Sequence, residues 1–280
     1  TGTVKLTLSK ISGGTIKCLT FPTITNEPII SQPKGIMPKS VWLADNEYSG
    51  NLVVEDCYGK RFNDHQIADI QYPDPSAQHN VFITIRCVVR MELGTIWKTY
   101  RVYMDRPRLD MDLRFRWKGV SPKMFRIGRM ILNSAIFDSS SLAYSTINGG
   151  DLIEKFPLFG TNIRQDEPLI GSTSSSGCLG ATEGWVVLSD VTKGVGFITN
   201  LAGLYSVPMI HYEEPSIGSG QPYLSLVYSL GESDDTSHTF WRGHSEWNIS
   251  ILGGQSNVIN ETREAALLSN GGLTTYSTAT

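Results

Sequence analysis

Leu109-Asp110-Met111-Asp112-Leu113-Arg114-Phe115-Arg116-Trp117 alternates apolar and charged side chains without a break. A helix would scatter these apolar groups around its surface. A strand places Leu109, Met111, Leu113, Phe115 and Trp117 on one face and the charges on the other. The same rhythm recurs elsewhere. Val81, Ile83, Ile85, Cys87 and Val89 oppose Thr84, Arg86 and Arg90, and Val4, Leu6 and Leu8 oppose Lys5, Thr7 and Ser9. Leu224, Leu226, Tyr228 and Leu230 repeat it, as do Trp247, Ile249 and Ile251. Turn signals fall between the runs at Gly13-Gly14, Tyr58-Gly59-Lys60, Gly149-Gly150 and Lys193-Gly194, with a Ser/Gly-rich loop over 172–177. One stretch reads as a helix, 261–269, with Asn260 as N-cap and Asn270-Gly271 as its stop. The chain is therefore read as all-β, a large antiparallel sandwich with one short C-terminal helix. It has no internal repeat and no long linker. One large β domain is the simplest organisation, and a split near residue 150 is the alternative.

Composition agrees with a folded protein. Of 280 residues, 40% are hydrophobic and 18% charged, enough to bury a sizeable core without metal or disulfide support. A net charge of −3 gives no electrostatic footprint for nucleic acid or an anionic membrane, so neither is expected as a partner. No apolar run approaches the roughly 20 residues needed to span a bilayer. The chain starts at Thr1 without Met, which reads as processed, trimmed or excised from something longer. Cys18, Cys57, Cys87 and Cys178 form no C-x-x-C pair or metal-ligand spacing and are expected to be buried free thiols.

Few residues announce chemistry. No nucleophile elbow, phosphate loop or dinucleotide fingerprint is present. Asp110 and Asp112 share their face with Arg114 and Arg116, which reads as a solvated, charge-compensated surface. On a strand, His238, Phe240, Arg242, His244 and Glu246 would face one way, a group able to contact a sugar. Trp42, Trp241 and Trp247 are the tryptophans expected to be free for stacking on pyranose rings, whereas Trp117 belongs to the core. His211 with Glu213 or Glu214 is the compact pairing of an imidazole with carboxylates that an acid–base reaction on a sugar would need. The carbohydrate-contacting candidates are thus Trp241, His244, Glu246, Trp247, His211 and Glu213. No catalytic set and no metal site is expected in the chain.

The order of segments resembles the family 38 α-mannosidases. The resemblance is carried by Tyr100–Lys118, by Phe125–Leu132, and by Tyr144-Ser-Thr-Ile-Asn-Gly-Gly150 followed by Ile153-Glu-Lys155. Further along it is carried by Glu183-Gly-Trp-Val-Val-Leu-Ser-Asp190, Gly194-Val-Gly-Phe-Ile-Thr-Asn200, Tyr223–Leu230, His238–Asn248, Glu264-Ala-Ala266 and Asn270-Gly-Gly-Leu273. These matches run collinearly over about residues 95–275. They correspond to that family's C-terminal β-supersandwich, of the galactose-mutarotase-like type, not to its catalytic domain. Two features depart from the family: Thr199-Asn-Leu-Ala-Gly-Leu-Tyr205 lacks the usual Lys, and Gly272 stands where a Pro closes the final turn.

The resemblance implies that residues 1–280 are one β-supersandwich domain of a longer chain, supporting a catalytic domain that lies outside this sequence. That domain would hold zinc; this segment would hold no cofactor and would not hydrolyse glycosides alone. The implied partners are the catalytic domain of the same parent chain and a carbohydrate. Two other functions remain open: a free-standing carbohydrate-binding protein using Trp241 to Trp247, and a mutarotase-like epimerase using His211 with Glu213 or Glu214.

Overall fold

The run from Leu109 to Trp117 lies within a 13-residue strand, Arg108–Val120. Its apolar members are buried, while Arg114 and Arg116 are exposed, so the two-residue rhythm separates the faces as expected. One part of the expectation fails. Asp110 is only 6% exposed, because Arg108 and Tyr103 close over it. That face is charge-compensated but is not uniformly solvated.

The computed structural model describes residues 2–31, 49–73, 81–169, 174–202, 206–215, 220–232 and 240–271. Within them the chain forms β1 (Lys5–Ser9), β2 (Thr15–Thr20), β3 (Ile30–Ser31), β4 (Leu52–Asp56), β5 (Arg61–Asn63) and β6 (Asp69–Gln71). There follow β7 (Phe82–Met91), β8 (Gly94–Tyr103), β9 (Arg108–Val120), β10 (Pro122–Ile131), β11 (Ala143–Thr146) and β12 (Glu154–Pro157). The last strands are β13 (Ile163–Arg164), β14 (Trp185–Ser189), β15 (Lys193–Thr199), β16 (Val207–Glu213), β17 (Tyr223–Glu232) and β18 (Trp241–Gln255), before a helix, α1 (Val258–Ser269).

The strands build a nine-stranded sheet in the order β12-β11-β14-β15-β18-β9-β8-β7-β6 and a six-stranded sheet in the order β13-β16-β17-β10-β4-β5. The small sheet β1-β2-β3 is bridged to the six-stranded one through Ile30 and Leu132. The large sheets pack face to face. Leu113, Phe115, Ile96, Phe197 and Trp247 from one meet Phe125, Ile127, Leu226, Tyr228 and Ile210 from the other in a single apolar cluster. Burying side chains of this size contributes about 1.5–3 kcal/mol each. The fold is all-β and antiparallel with one short C-terminal helix.

The helix begins one turn earlier than its caps suggested. Asn257, not Asn260, is the N-cap, and its Nδ2 donates to Glu261 Oε1 at 2.5 Å. Packing sets this start. Val258 plugs the surface of the nine-stranded sheet where β15 and β18 carry Gly194 and Gly254. A Cβ on either glycine would come within 2.9 or 2.7 Å of Val258. Gly196 makes the same room for Thr262, whose Oγ1 would lie 2.1 Å from a Cβ there. The four cysteines are free, but only Cys87 is buried, and Cys178 is exposed. Buried thiols had been expected throughout; Cys178 lies instead in the irregular segment between β13 and β14.

Candidate functional site

The outer face of the nine-stranded sheet is divided by α1. Over β14 and β15 the helix covers a second apolar cluster of Trp185, Val187, Ile198, Val258 and Ala266. Asn270 fastens its end: Nδ2 donates to the carbonyls of Glu183 and Thr199, and Oδ1 accepts from Leu201 N. Arg263 adds a salt bridge to Glu183 at 2.9 Å. The rest of that face, over β18, β9, β8 and β7, lies beyond the helix.

Strand register fixes what this open face displays. Glu246, Arg114, Trp97 and Val88 lie in one row across β18, β9, β8 and β7. Asn248, Asp112, Thr99 and Arg86 form the next row, and Ser250, Asp110, Arg101 and Thr84 the one after. On the other side of the first row stand His244, Arg116, Thr95 and Arg90. A cleft of ≈ 410 Å³ opens here, lined among others by Arg86, Trp97, Arg101, Asp112, His244 and Glu246. A shallower depression of ≈ 160 Å³ adjoins it at Arg108, Asp110, Asn248 and Ser250, and Arg101 and Asp112 line both.

Electrostatics organise the floor. Arg101 Nη2 donates to Asp112 Oδ2. Arg108 Nε donates to Asp110 Oδ1 at 2.7 Å, and Tyr103 Oη to Asp110 Oδ2 at 2.9 Å. Arg114 pairs with Glu246 at 3.1 Å near the rim. Burial raises the Asp112 carboxyl above the usual carboxylate range, with Arg101 opposing. Burial and the neighbouring Asp110 raise the Tyr103 phenol. The cleft therefore offers guanidinium donors, carboxylate acceptors and the half-buried indole of Trp97 on one surface. Sugars present an apolar ring face edged by hydroxyls that both donate and accept, so this combination suits them.

The residues expected from sequence are dispersed. His244 and Glu246 are exposed and line the cleft together. Trp247 does not join them: it is 1% exposed on the core face, with Nε1 donating to Ser206 Oγ at 2.9 Å and its ring against Tyr228. Trp241 is half-buried and packs edge-on against Phe125 and Trp117, with centroids 5.0 and 6.2 Å apart. The physical reason is the two-residue period of β18: Trp241 and Trp247, six residues apart, share the core face, and His244 and Glu246 share the other. Trp247 has no face free to stack on a ligand, and Trp241 has its ring edge engaged in the aromatic cluster. His238 and Trp42 lie outside the described residues.

His211 and Glu213 belong to β16 in the other sheet. His211 is fully buried, with Nδ1 2.6 Å from Asp166 Oδ1 and Nε2 3.5 Å from Glu213 Oε2. Arg129 Nη2 also meets Asp166, at 2.8 Å, and Arg126 donates to the Asp166 carbonyl at 2.6 Å and to Glu232. Glu213 pairs with Arg164, and the Glu214 carboxylate accepts from Tyr212 Oη at 2.6 Å. These groups clamp the segment after β13 onto the six-stranded sheet. The structure thus brings His211 and Glu213 together as expected, with the imidazole itself buried and Glu214 turned to Tyr212.

Trp97, Thr99, Arg101 and Arg86 were not among the expected residues. Their signal was the same alternation, in β8: Trp97, Thr99, Arg101 and Tyr103 share one face, while Ile96, Lys98, Tyr100 and Val102 share the other. Among the described residues, no group of three or more His, Cys, Asp or Glu side chains is placed to hold a metal ion. No described helix is long and apolar enough to cross a membrane.

No protein-family model matches the chain, and no curated protein matches it in sequence. Solved structures do share the architecture. An α-N-acetylgalactosaminidase, NagBb from Bifidobacterium bifidum, in complex with GalNAc, aligns over 95% of this chain at 8% identity, with a TM-score of 0.58. The chain spans 37% of that enzyme's length. A galactose mutarotase-like protein from Clostridium acetobutylicum aligns over 91% of this chain and 93% of its own, at 9% identity and a TM-score of 0.52. At such identities the likeness is one of fold: a galactose-mutarotase-like β-sandwich.

Proposed function

We propose that this chain is the carbohydrate-contacting β domain of a glycoside hydrolase, using the cleft on the outer face of the nine-stranded sheet. The observation that carries this reading is the placement of Trp97 between guanidinium and carboxylate side chains in a cleft of ≈ 410 Å³. The fold, shared with a glycosidase and with a mutarotase-like protein, agrees with it. In this reading Trp97 supplies the stacking surface, Arg101 and Thr99 donate to ring hydroxyls, and Asp112, Glu246 and His244 accept or exchange hydrogen bonds. The α-mannoside preference and the zinc-holding catalytic partner are the finer parts of the proposal. They rest on the resemblance of residues 95–275 to the family 38 enzymes. The residues that define this cleft are not those that the sequence pattern offered for sugar contact, apart from His244 and Glu246.

Calorimetric titration of the chain with mannosides, galactosides and N-acetylgalactosamine tests the reading. Binding that weakens about tenfold or more in Trp97→Ala, with the fold intact, is expected, since a well-packed aromatic contact supplies that much. Saccharide binding that is indifferent to Trp97 would refute it.

A second reading, a mutarotase-like epimerase, is favoured by one observation: His244, Glu246 and Asp112 line a single cleft. Acid–base work on an anomeric centre needs such groups on opposite sides of one ring. Faster anomer exchange by NMR, abolished in His244→Ala or Glu246→Gln, would support it. An unchanged spontaneous rate would remove it.

A further inference from the structure

The cleft and the row beside it carry more positive charge than their carboxylates can balance. Asp110 is taken by Arg108, Asp112 by Arg101 and Glu246 by Arg114. That leaves Arg86 in the lining, and Arg116 and Arg90 in the row of His244 beside it, none of which makes an ion pair among the described residues. They are not scattered. Trp97 stands in register with Val88 on β7 and Arg114 on β9, so its diagonal neighbours are Arg86 and Arg90 on one side and Arg116 and Asp112 on the other. Diagonal cross-strand neighbours lie about 7–8 Å apart, within reach of long side chains. Three uncompensated guanidiniums thus surround one half-buried indole, in a chain whose net charge is −3. Gathering like charges on one sheet face costs stability. An anion seated among them would offset that cost and would gain charge-assisted, bidentate hydrogen bonds.

We propose that this surface selects an acidic saccharide: a pyranose stacked on Trp97, with carboxylate or sulfate ester groups met by Arg86 on one side of the indole and by Arg90 and Arg116 on the other. A saccharide seated on the indole carries its substituents toward both neighbouring rows, where Arg86 stands on one side and Arg90 and Arg116 on the other. A neutral sugar would satisfy Trp97, Asp112 and Glu246 but would leave the arginines facing water. The inference rests on the proposed carbohydrate cleft and names the class of sugar it takes.

The test compares three probes on the full chain by calorimetry: uncharged mannotriose, its uronate counterpart mannuronate trisaccharide, and a 6-O-sulfated mannotriose. At low salt at least one charged probe is expected to bind about tenfold or more tighter than mannotriose. Which one does so identifies the anion. The preference is expected to shrink in 0.3 M salt and to vanish in Arg86→Gln/Arg116→Gln, while weak mannotriose binding survives. Circular dichroism and thermal melting of that variant establish that it folds, as befits substitutions on the outer face. Equal affinity for charged and neutral probes would overturn this inference and leave the carbohydrate reading standing, as would a charge preference that persists in the double variant. Absence of binding by all three would overturn both.

Discussion

Replacing Lys98 by Met should unfasten the strand that carries Trp97. Lys98 lies on the core face of β8, directly between Trp97 and Thr99, and pairs with Asp64 at 2.5 Å with both side chains wholly buried. Its Nζ also donates to the Gly50 carbonyl at 3.0 Å, and Asp64 Oδ1 accepts from Leu52 N at 3.1 Å. The pair therefore ties β8 to β4 and to the segment after β5. Removing one member of a buried ion pair strands the other in low dielectric and costs about 3–5 kcal/mol. For a protein of this size about 1 kcal/mol lowers the melting temperature by roughly 2–4 °C, so Lys98→Met should lower it by roughly 6–20 °C. Adding Asp64→Asn removes the stranded charge and keeps an acceptor for Leu52 N. The double variant should then lie only about 1–3 kcal/mol below the parent, the scale of lost hydrogen bonds. Urea unfolding followed by far-ultraviolet circular dichroism measures all three proteins. A single variant within 1 kcal/mol of the parent, or a double variant less stable than the single one, would refute the reasoning.

Two further expectations concern other parts of the fold. Gly196→Ala drives a methyl into Thr262 and should cost about 1–3 kcal/mol, exposing the amides of α1 to hydrogen exchange, whereas Gly231→Ala, with open space around its Cβ position, should leave them protected. Burial would raise the Asp166 carboxyl, but Arg129 and His211 outweigh it and hold it well below its ordinary 3.8. A depressed carboxylate contributes stability that is fully present above its unfolded value and is lost as the pH falls through its folded value. Arg129→Met should therefore be about 3–5 kcal/mol less stable than the parent at pH 7, and the gap should narrow between pH 4 and pH 2; urea midpoints across that range check it.

The architecture was legible because burial on one face writes itself into every second residue. Leu109 to Trp117 and Val81 to Val89 announced β9 and β7 on that basis. The helix start was misplaced because the deciding residue, Val258, owes its role to Gly194 and Gly254 on other strands. The site was less legible for a related reason. Alternation distinguishes two faces of a strand but does not say which outer face is covered and which forms a cleft. Trp241 and Trp247 looked available because they flank His244 and Glu246 in sequence, and the two-residue period of β18 puts them on the opposite face. His211 looked reactive beside Glu213, yet Asp166, 45 residues away in sequence, encloses it. The alternation of β8 gave the face of Trp97 but not its surroundings, since its arginine neighbours arrive from β7 and β9.

The place of β18 in the nine-stranded sheet bears on how the protein is made. It hydrogen-bonds to β15 on one side and to β9 on the other. Until this late strand is inserted, the sheet exists as two blocks, each ending in a naked row of amides and carbonyls that invites pairing with other chains. Its closure joins segments remote along the polypeptide, a slow step with a large entropic cost. During synthesis the nascent chain thus emerges with its central seam open and without His244 or Glu246 in place. His244 and Glu246 and protection from aggregation would arrive together, with the same strand.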